Sequence, residues 1–259
     1  MSPRGKDFSR KFARGEWAER LIIDAINKYP DYAAFQYGTS RGDAVETQEE
    51  LEELKEPDSD EIKRPDILVF EISYIESLPY QYQNLIEKYV SGTPDERRKI
   101  LPYLDKYDII EDAALAIEAK ASNFSTAERN YSSALSIFVK DENYDRLQEW
   151  NDRHGVPVKI VQLFLDSVHS VRLDQAHPSF DGVRHGSIPG IPKDGVIFKL
   201  DSPYCHTPGH FHDDPHIVDG PESDSEIEYS FSKGGKIVSD EGDPFFSGGS
   251  LNLDIETLL

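Results

Sequence analysis

The chain has 259 residues, 37 % of them hydrophobic and 11 % aromatic, enough for one large core and too many for disorder throughout. No apolar run approaches the ~18 residues of a membrane span, and residues 1–12 are polar and basic with no apolar stretch of a secretory signal. The single cysteine, Cys205, excludes an internal disulfide framework and fits a reducing, cytoplasmic setting.

The net charge of −21 argues at face value against a nucleic-acid partner. Its distribution changes that argument. Residues 43–61 hold ten acids and one base, and residues 201–259 hold thirteen acids and two bases. The other 181 residues carry a net charge of only −1. The two acidic segments read as solvated surface, placed away from any phosphate backbone.

In chain order, residues 16–29 predict a helix, with Leu21, Ile22, Ile23, Ala25 and Ile26 as its apolar face and Pro30 ending it. Residues 33–38 predict a short strand, and 43–61 an acidic loop. Ile67-Leu68-Val69-Phe70, after a proline, suits a buried strand. Residues 80–89 and 94–104 predict helices inside an insertion spanning 74–111. Residues 113–121 predict a strand. Ser125-Thr126-Ala127-Glu128 has the spacing of a capping box and predicts a helix start. Strands are expected at 134–139, 158–165 and 168–173. A helix is expected at 141–154, closed by Gly155. Residues 176–195 read as a linker. Beyond it, strands at 196–200, 227–231 and 236–238 predict a small β-rich appendage or loose tail. The order gives an α/β (α+β) sheet domain over residues 1–175 and a loop-rich, acidic, β-containing region over 176–259.

Two short motifs survive a test of context. Pro-Asp occurs at 30–31, 57–58, 65–66 and 94–95, and only Pro65-Asp66 leads into an apolar strand. Glu-x-Lys occurs at 53–55, 61–63 and 118–120, and only Glu118-Ala119-Lys120 follows one. Side chains alternate along a strand, so Glu118 and Lys120 share a face. If Asp66 ends an adjacent strand, two carboxylates and an ammonium converge. Such hard oxygen donors suit Mg²⁺, which takes one or two carboxylates plus waters and phosphate. Glu19 is a fourth member, because it falls on the apolar stripe of the first helix, where a carboxylate needs a partner. The plain alternative is a solvated sheet face carrying a Glu-Lys pair.

Residues 64–70 and 116–122, Arg-Pro-Asp-Ile-Leu-Val-Phe and Ala-Ile-Glu-Ala-Lys-Ala-Ser, resemble the signature of the PD-(D/E)xK nucleases. Leu135 to Glu142, Trp150, His154-Gly155-Val156-Pro157 and Val161 to Asp166 are similar to the AccI-like branch of type II restriction endonucleases. This resemblance covers residues 15–173. It implies a central mixed sheet flanked by helices and Mg²⁺-dependent, sequence-specific cleavage of double-stranded DNA by a homodimer. It also implies Asp66 and Glu118 as metal ligands, Lys120 as the water-orienting base, and Glu19 as the helix carboxylate. The recognition sequence does not transfer.

Ser122, Asn123 and Ser125 follow the motif, and their short polar side chains are candidates for a DNA groove. Cys205, His206, His210, His212 and His216 cluster in sequence and suit either a zinc clip or a loop without metal. Two other functions stay open. One is a repair or junction nuclease with the same core. The other is a non-catalytic acidic protein that binds a basic partner.

Overall fold

The computed structural model describes residues 6–38, 64–129, 135–175, 179–187, 194–220, 223, 225–240 and 244–259. The acidic segment 43–61 lies outside them. The chain opens with α1 (Lys6–Ile26), β1 (Tyr32–Gln36) and β2 (Ile67–Glu71). The helices α2 (Ile72–Ser77), α3 (Tyr80–Ser91) and α4 (Pro94–Lys106) form the insertion. After it come β3 (Leu115–Ala121), β4 (Phe124–Arg129), β5 (Ser136–Lys140), α5 (Asp141–His154), β6 (Val158–Leu163) and β7 (Val168–Arg172). The remainder supplies β8 (Val183–Gly186), β9 (Gly195–Lys199), β10 (His206–Asp213), β11 (His216–Val218) and β12 (Ser230–Phe231). It ends with β13 (Gly234–Val238), β14 (Phe245–Ser247), β15 (Ser250–Leu253) and α6 (Ile255–Leu258).

The fold is α+β. A seven-stranded sheet runs in the order β1-β2-β3-β6-β7-β10-β15. It is mixed, because β3 and β6 are parallel while its other neighbours are antiparallel. The parallel step is made by the crossover through α5. That helix keeps its predicted bounds: Gly155 adopts φ 70° and returns its N–H to the Asn151 carbonyl at 2.7 Å. Leu147 and Trp150 are its buried anchors.

Each face of the sheet is covered. On one side α1 lays Trp17, Ala18, Leu21, Ile22, Ala25 and Ile26 over Ile67, Val69, Leu115 and Ile117. The spacing of those six residues is one continuous helical stripe. On the other side Leu68, Phe70 and Ala116 meet Ile86, Tyr89, Leu101, Leu104 and Trp150. Alternation along β2 and β3 therefore divides one strand between two cores, which is why both read as unbroken apolar runs.

Two expectations are corrected. Residues 125–128 are not a helix start but part of β4. The Asp166 carboxylate accepts from Thr126 N and Ala127 N at 2.9 and 2.6 Å, and from the Ser125 and Thr126 hydroxyls at 2.7 and 2.9 Å. A tertiary acceptor thus replaces the helical ones, and β13 pairs with β4. The expected appendage is also not separate. Strands β10 and β15 extend the central sheet, and Leu251, Leu253, Phe211 and Phe246 share the core of α1.

Candidate active site

The site lies where the ladder between β2 and β3 ends. Pro65 has no N–H and marks the start of β2. The register pairs Ile67 with Ile117, so Asp66 and Glu118 are the next residues along two hydrogen-bonded neighbours. Beyond that point the Asp66 side chain continues the pairing: its Oδ2 accepts from Ala119 N at 2.8 Å. The Asp66 carbonyl accepts from Tyr37 N at 2.8 Å and Gly38 N at 3.2 Å, which ties the end of β1 to the same spot. A Cβ on Gly38 would stand 3.0 Å from the Pro65 carbonyl, so the close approach favours glycine.

Glu118 is 1 % exposed, while the Lys120 side chain is 28 % exposed. Lys120 Nζ donates to Glu118 Oε1 in a tight ion pair. A solvated sheet face does not describe this arrangement, because the acid lies inside the protein. Burial opposes the charge on Lys120, yet Glu118, Asp66 and Glu19 outweigh it and hold the ammonium above its usual pKa.

Glu19 approaches from α1. Its Oε2 accepts from Gln36 Nε2 at 3.0 Å. Burial, followed by the charges of Asp66, Glu16 and Glu118, pushes its carboxyl up to about 9, against the hydrogen bond from Gln36. Three carboxyls thus share one field with one ammonium. Gln36 Oε1 in turn accepts from Arg97 Nη1 at 2.8 Å, while Arg97 also donates to the carbonyls of Tyr89 and Val90. Glu19, Gln36 and Arg97 line a cleft of about 280 Å³ together with Glu16, Arg20 and Asn27. Sequence reasoning missed Gln36 and Arg97, because neither sits in a motif. The only available signal was the position of Gln36 at the end of a short strand.

The three candidates for groove contact serve the turn after β3. Asn123 and Ser125 are buried, and Ser125 donates to Asp166. Ser122 is half-buried and accepts from Phe124 N at 3.2 Å. In this structure Ser125 is turned in to the Asp166 loop and Asn123 is buried, while Ser122 keeps part of its surface exposed.

The cysteine and histidines are spread out. His206, His210 and His212 lie exposed along β10, and His216 Nδ1 pairs with Glu226 Oε1 at 2.6 Å. Burial, with Asp201 nearby, pushes the Cys205 thiol up to about 12, away from the thiolate a metal needs. Among the described residues, no group of three or more His, Cys, Asp or Glu is placed to hold a metal ion by itself. No helix among them is long and apolar enough to cross a membrane.

Compared with known proteins, the chain matches no family model, no curated protein and no solved structure.

Proposed function

We propose that the chain is a Mg²⁺-dependent endonuclease of double-stranded DNA, of the PD-(D/E)xK type, acting at a specific sequence as a homodimer in the cytoplasm. The observation that carries the reading is the meeting of Asp66, Glu118, Lys120 and Glu19, from three separate elements, at the end of one strand pair. The mixed sheet with helices on both faces agrees with a restriction-endonuclease-like core.

The donor set fits Mg²⁺ in type and number, since that ion takes one or two carboxylates and fills its shell with water and phosphate. Asp66 and Glu118 would hold it. Burial and the charges of Asp66, Glu16 and Glu118 push the Glu19 carboxyl up, and crowding of acids is what a divalent cation relieves. Bound there, Mg²⁺ supplies charge neutralisation at the scissile phosphate and lowers the pKa of the attacking water.

The chain's own groups do the rest. Glu118 aims Lys120 through their ion pair. Because the ammonium stays protonated, Lys120 acts by donating hydrogen bonds to the water or to a phosphate oxygen on which charge develops. Asp66 is fixed by the hydrogen bond its Oδ2 accepts from Ala119 N. Glu19 borders the pair.

Digestion of a sequenced plasmid by purified protein tests the reading. Discrete fragments in Mg²⁺ and none in EDTA are expected. Cutting confined to branched or damaged DNA would favour a repair or junction nuclease. A folded protein that cuts neither in Mg²⁺ nor in Mn²⁺ refutes the nuclease reading.

A further inference from the structure

The contact between Gln36 and Glu19 has a chemical logic that the proposed site does not yet use. Gln36 is the last residue of β1 and pairs with Ile67, the residue after Asp66. Its amide nitrogen faces the Glu19 carboxyl at 3.0 Å, and its amide oxygen faces the Arg97 guanidinium at 2.8 Å. The assignment is forced by charge. A flipped amide would set its N–H groups against Arg97, which can only donate, and lose that hydrogen bond. Only a side chain with a donor on one side and an acceptor on the other bridges an acid and a guanidinium in this way. Arg97 cannot swing away freely, because it also donates to the carbonyls of Tyr89 and Val90 at the end of α3. The chain of contacts therefore runs from the helical insertion, through Arg97 and Gln36, to the carboxyl of Glu19.

Resting on the nuclease reading above, we propose that Gln36 is a positioning residue that holds Glu19 in place, with Arg97 fixing Gln36 against the insertion. Gln36 touches no reacting atom. It acts through Glu19, and all three residues line one cleft between α1, β1 and the insertion.

The test is a double-mutant cycle on the full chain, read by single-turnover plasmid cleavage in Mg²⁺ with thermal denaturation alongside. Gln36→Met keeps the unbranched shape and removes both hydrogen bonds. We expect it to remain folded and to cut about tenfold to a hundredfold more slowly, the range for a misplaced group near the chemistry. Combined with Glu19→Ala, which removes the group that Gln36 holds, it should add no further loss, because a residue acting only through another has nothing left to act on. Should Gln36→Met fail to fold, Gln36→Glu serves. It keeps the Arg97 contact and sets a carboxylate against Glu19, so it should lose at least as much rate. Losses that multiply in the double variant, or wild-type cleavage by either single variant, overturn the positioning role while leaving the nuclease reading intact. A wild type that cuts nothing overturns the nuclease reading, and this inference with it.

Discussion

Replacing Lys120 by alanine tests the site at its most constrained contact. Glu118 is 1 % exposed and its ion pair with Lys120 is the contact that offsets its buried charge in this structure. Breaking a buried pair by removing one partner costs about 3–5 kcal/mol. Lys120 itself keeps 28 % of its side-chain exposure, which places the cost at the lower end, about 3 kcal/mol. For a chain near this size each kcal/mol moves the Tm by roughly 2–4 °C, so the variant should melt about 6–12 °C lower in EDTA. Mg²⁺ should then raise its Tm more than it raises that of the wild type, because the cation takes over the neutralisation of Glu118. Cleavage should fall by about 10²–10³, the usual loss when one electrostatic contact to the transition state is removed. Differential scanning fluorimetry with and without Mg²⁺, and single-turnover cleavage on the same preparation, read all three effects. An unchanged Tm in EDTA would refute the buried pair. An unchanged rate in a folded variant would refute the catalytic role.

Asp66→Ala should abolish cleavage and leave DNA affinity nearly unchanged in a gel-shift assay, since binding to phosphate is mostly electrostatic and removing an acid lessens repulsion. Glu19→Gln should raise the Tm above wild type at about pH 8 and not at about pH 5. The sign follows from a folded pKa raised to about 9: the protonated acid is favoured by folding, so stability falls as pH rises from 4.5 through that value. Asp166 behaves oppositely. Burial would raise its pKa, but the N–H groups of Thr126 and Ala127 and the hydroxyls of Ser125 and Thr126 outweigh it, so its stabilisation is present above the usual carboxylate range and lost as pH falls. Asp166→Ala should cost about 2–4 kcal/mol at neutral pH in urea titrations and flatten the acid limb of the stability curve. Truncation after residue 200 should leave a protein with no cooperative thermal transition, because β10 and β15 belong to the central sheet.

Parts of this structure were legible in the sequence because one local signal dominated them. Residues 141–154 carry an amphipathic period and end in a glycine that takes positive φ, and the helix has those bounds. Asp66 and Glu118 were found because a proline-led and an Ala/Ile-rich apolar run each pointed to a buried strand, and those strands do pair. The residues 125–128 misled because their capping spacing is a local preference, while Asp166, some 40 positions on, supplies stronger acceptors. Nothing local announces Gln36 either. Its two contacts come from α1 and α4, 17 positions before and 61 positions after it. The C-terminal region failed for the same reason: short strands rich in histidine, glycine and acids look like a tail until a partner edge is known.

That edge bears on the site itself. The C-terminal strands hold α1 where it is: Trp17 Nε1 donates to the Gly248 carbonyl at 3.0 Å, Lys28 Nζ to that of Leu251 at 3.2 Å, and the Tyr29 hydroxyl to that of Leu253. Trp17 also stacks on Phe211, with ring centroids 6.0 Å apart, and leans on Phe246 at 5.2 Å. Trp17 stands two residues before Glu19 on the same helix, and Lys28 and Tyr29 follow that helix directly. Glu19 stays buried beside Asp66 and Glu118 only while its helix is held against the sheet. The anchor is supplied by the part of the chain with the greatest excess of acids, residues 201–259. Its described acids are exposed, while its apolar residues Phe211, Phe246, Leu251 and Leu253 share the core of α1. Acidity and structural support are thus separated by place, the described acids lying in turns and at element ends and the apolar residues on the strands, and the region that looks least like a nuclease in sequence is the one that fixes the helix on which Glu19 depends.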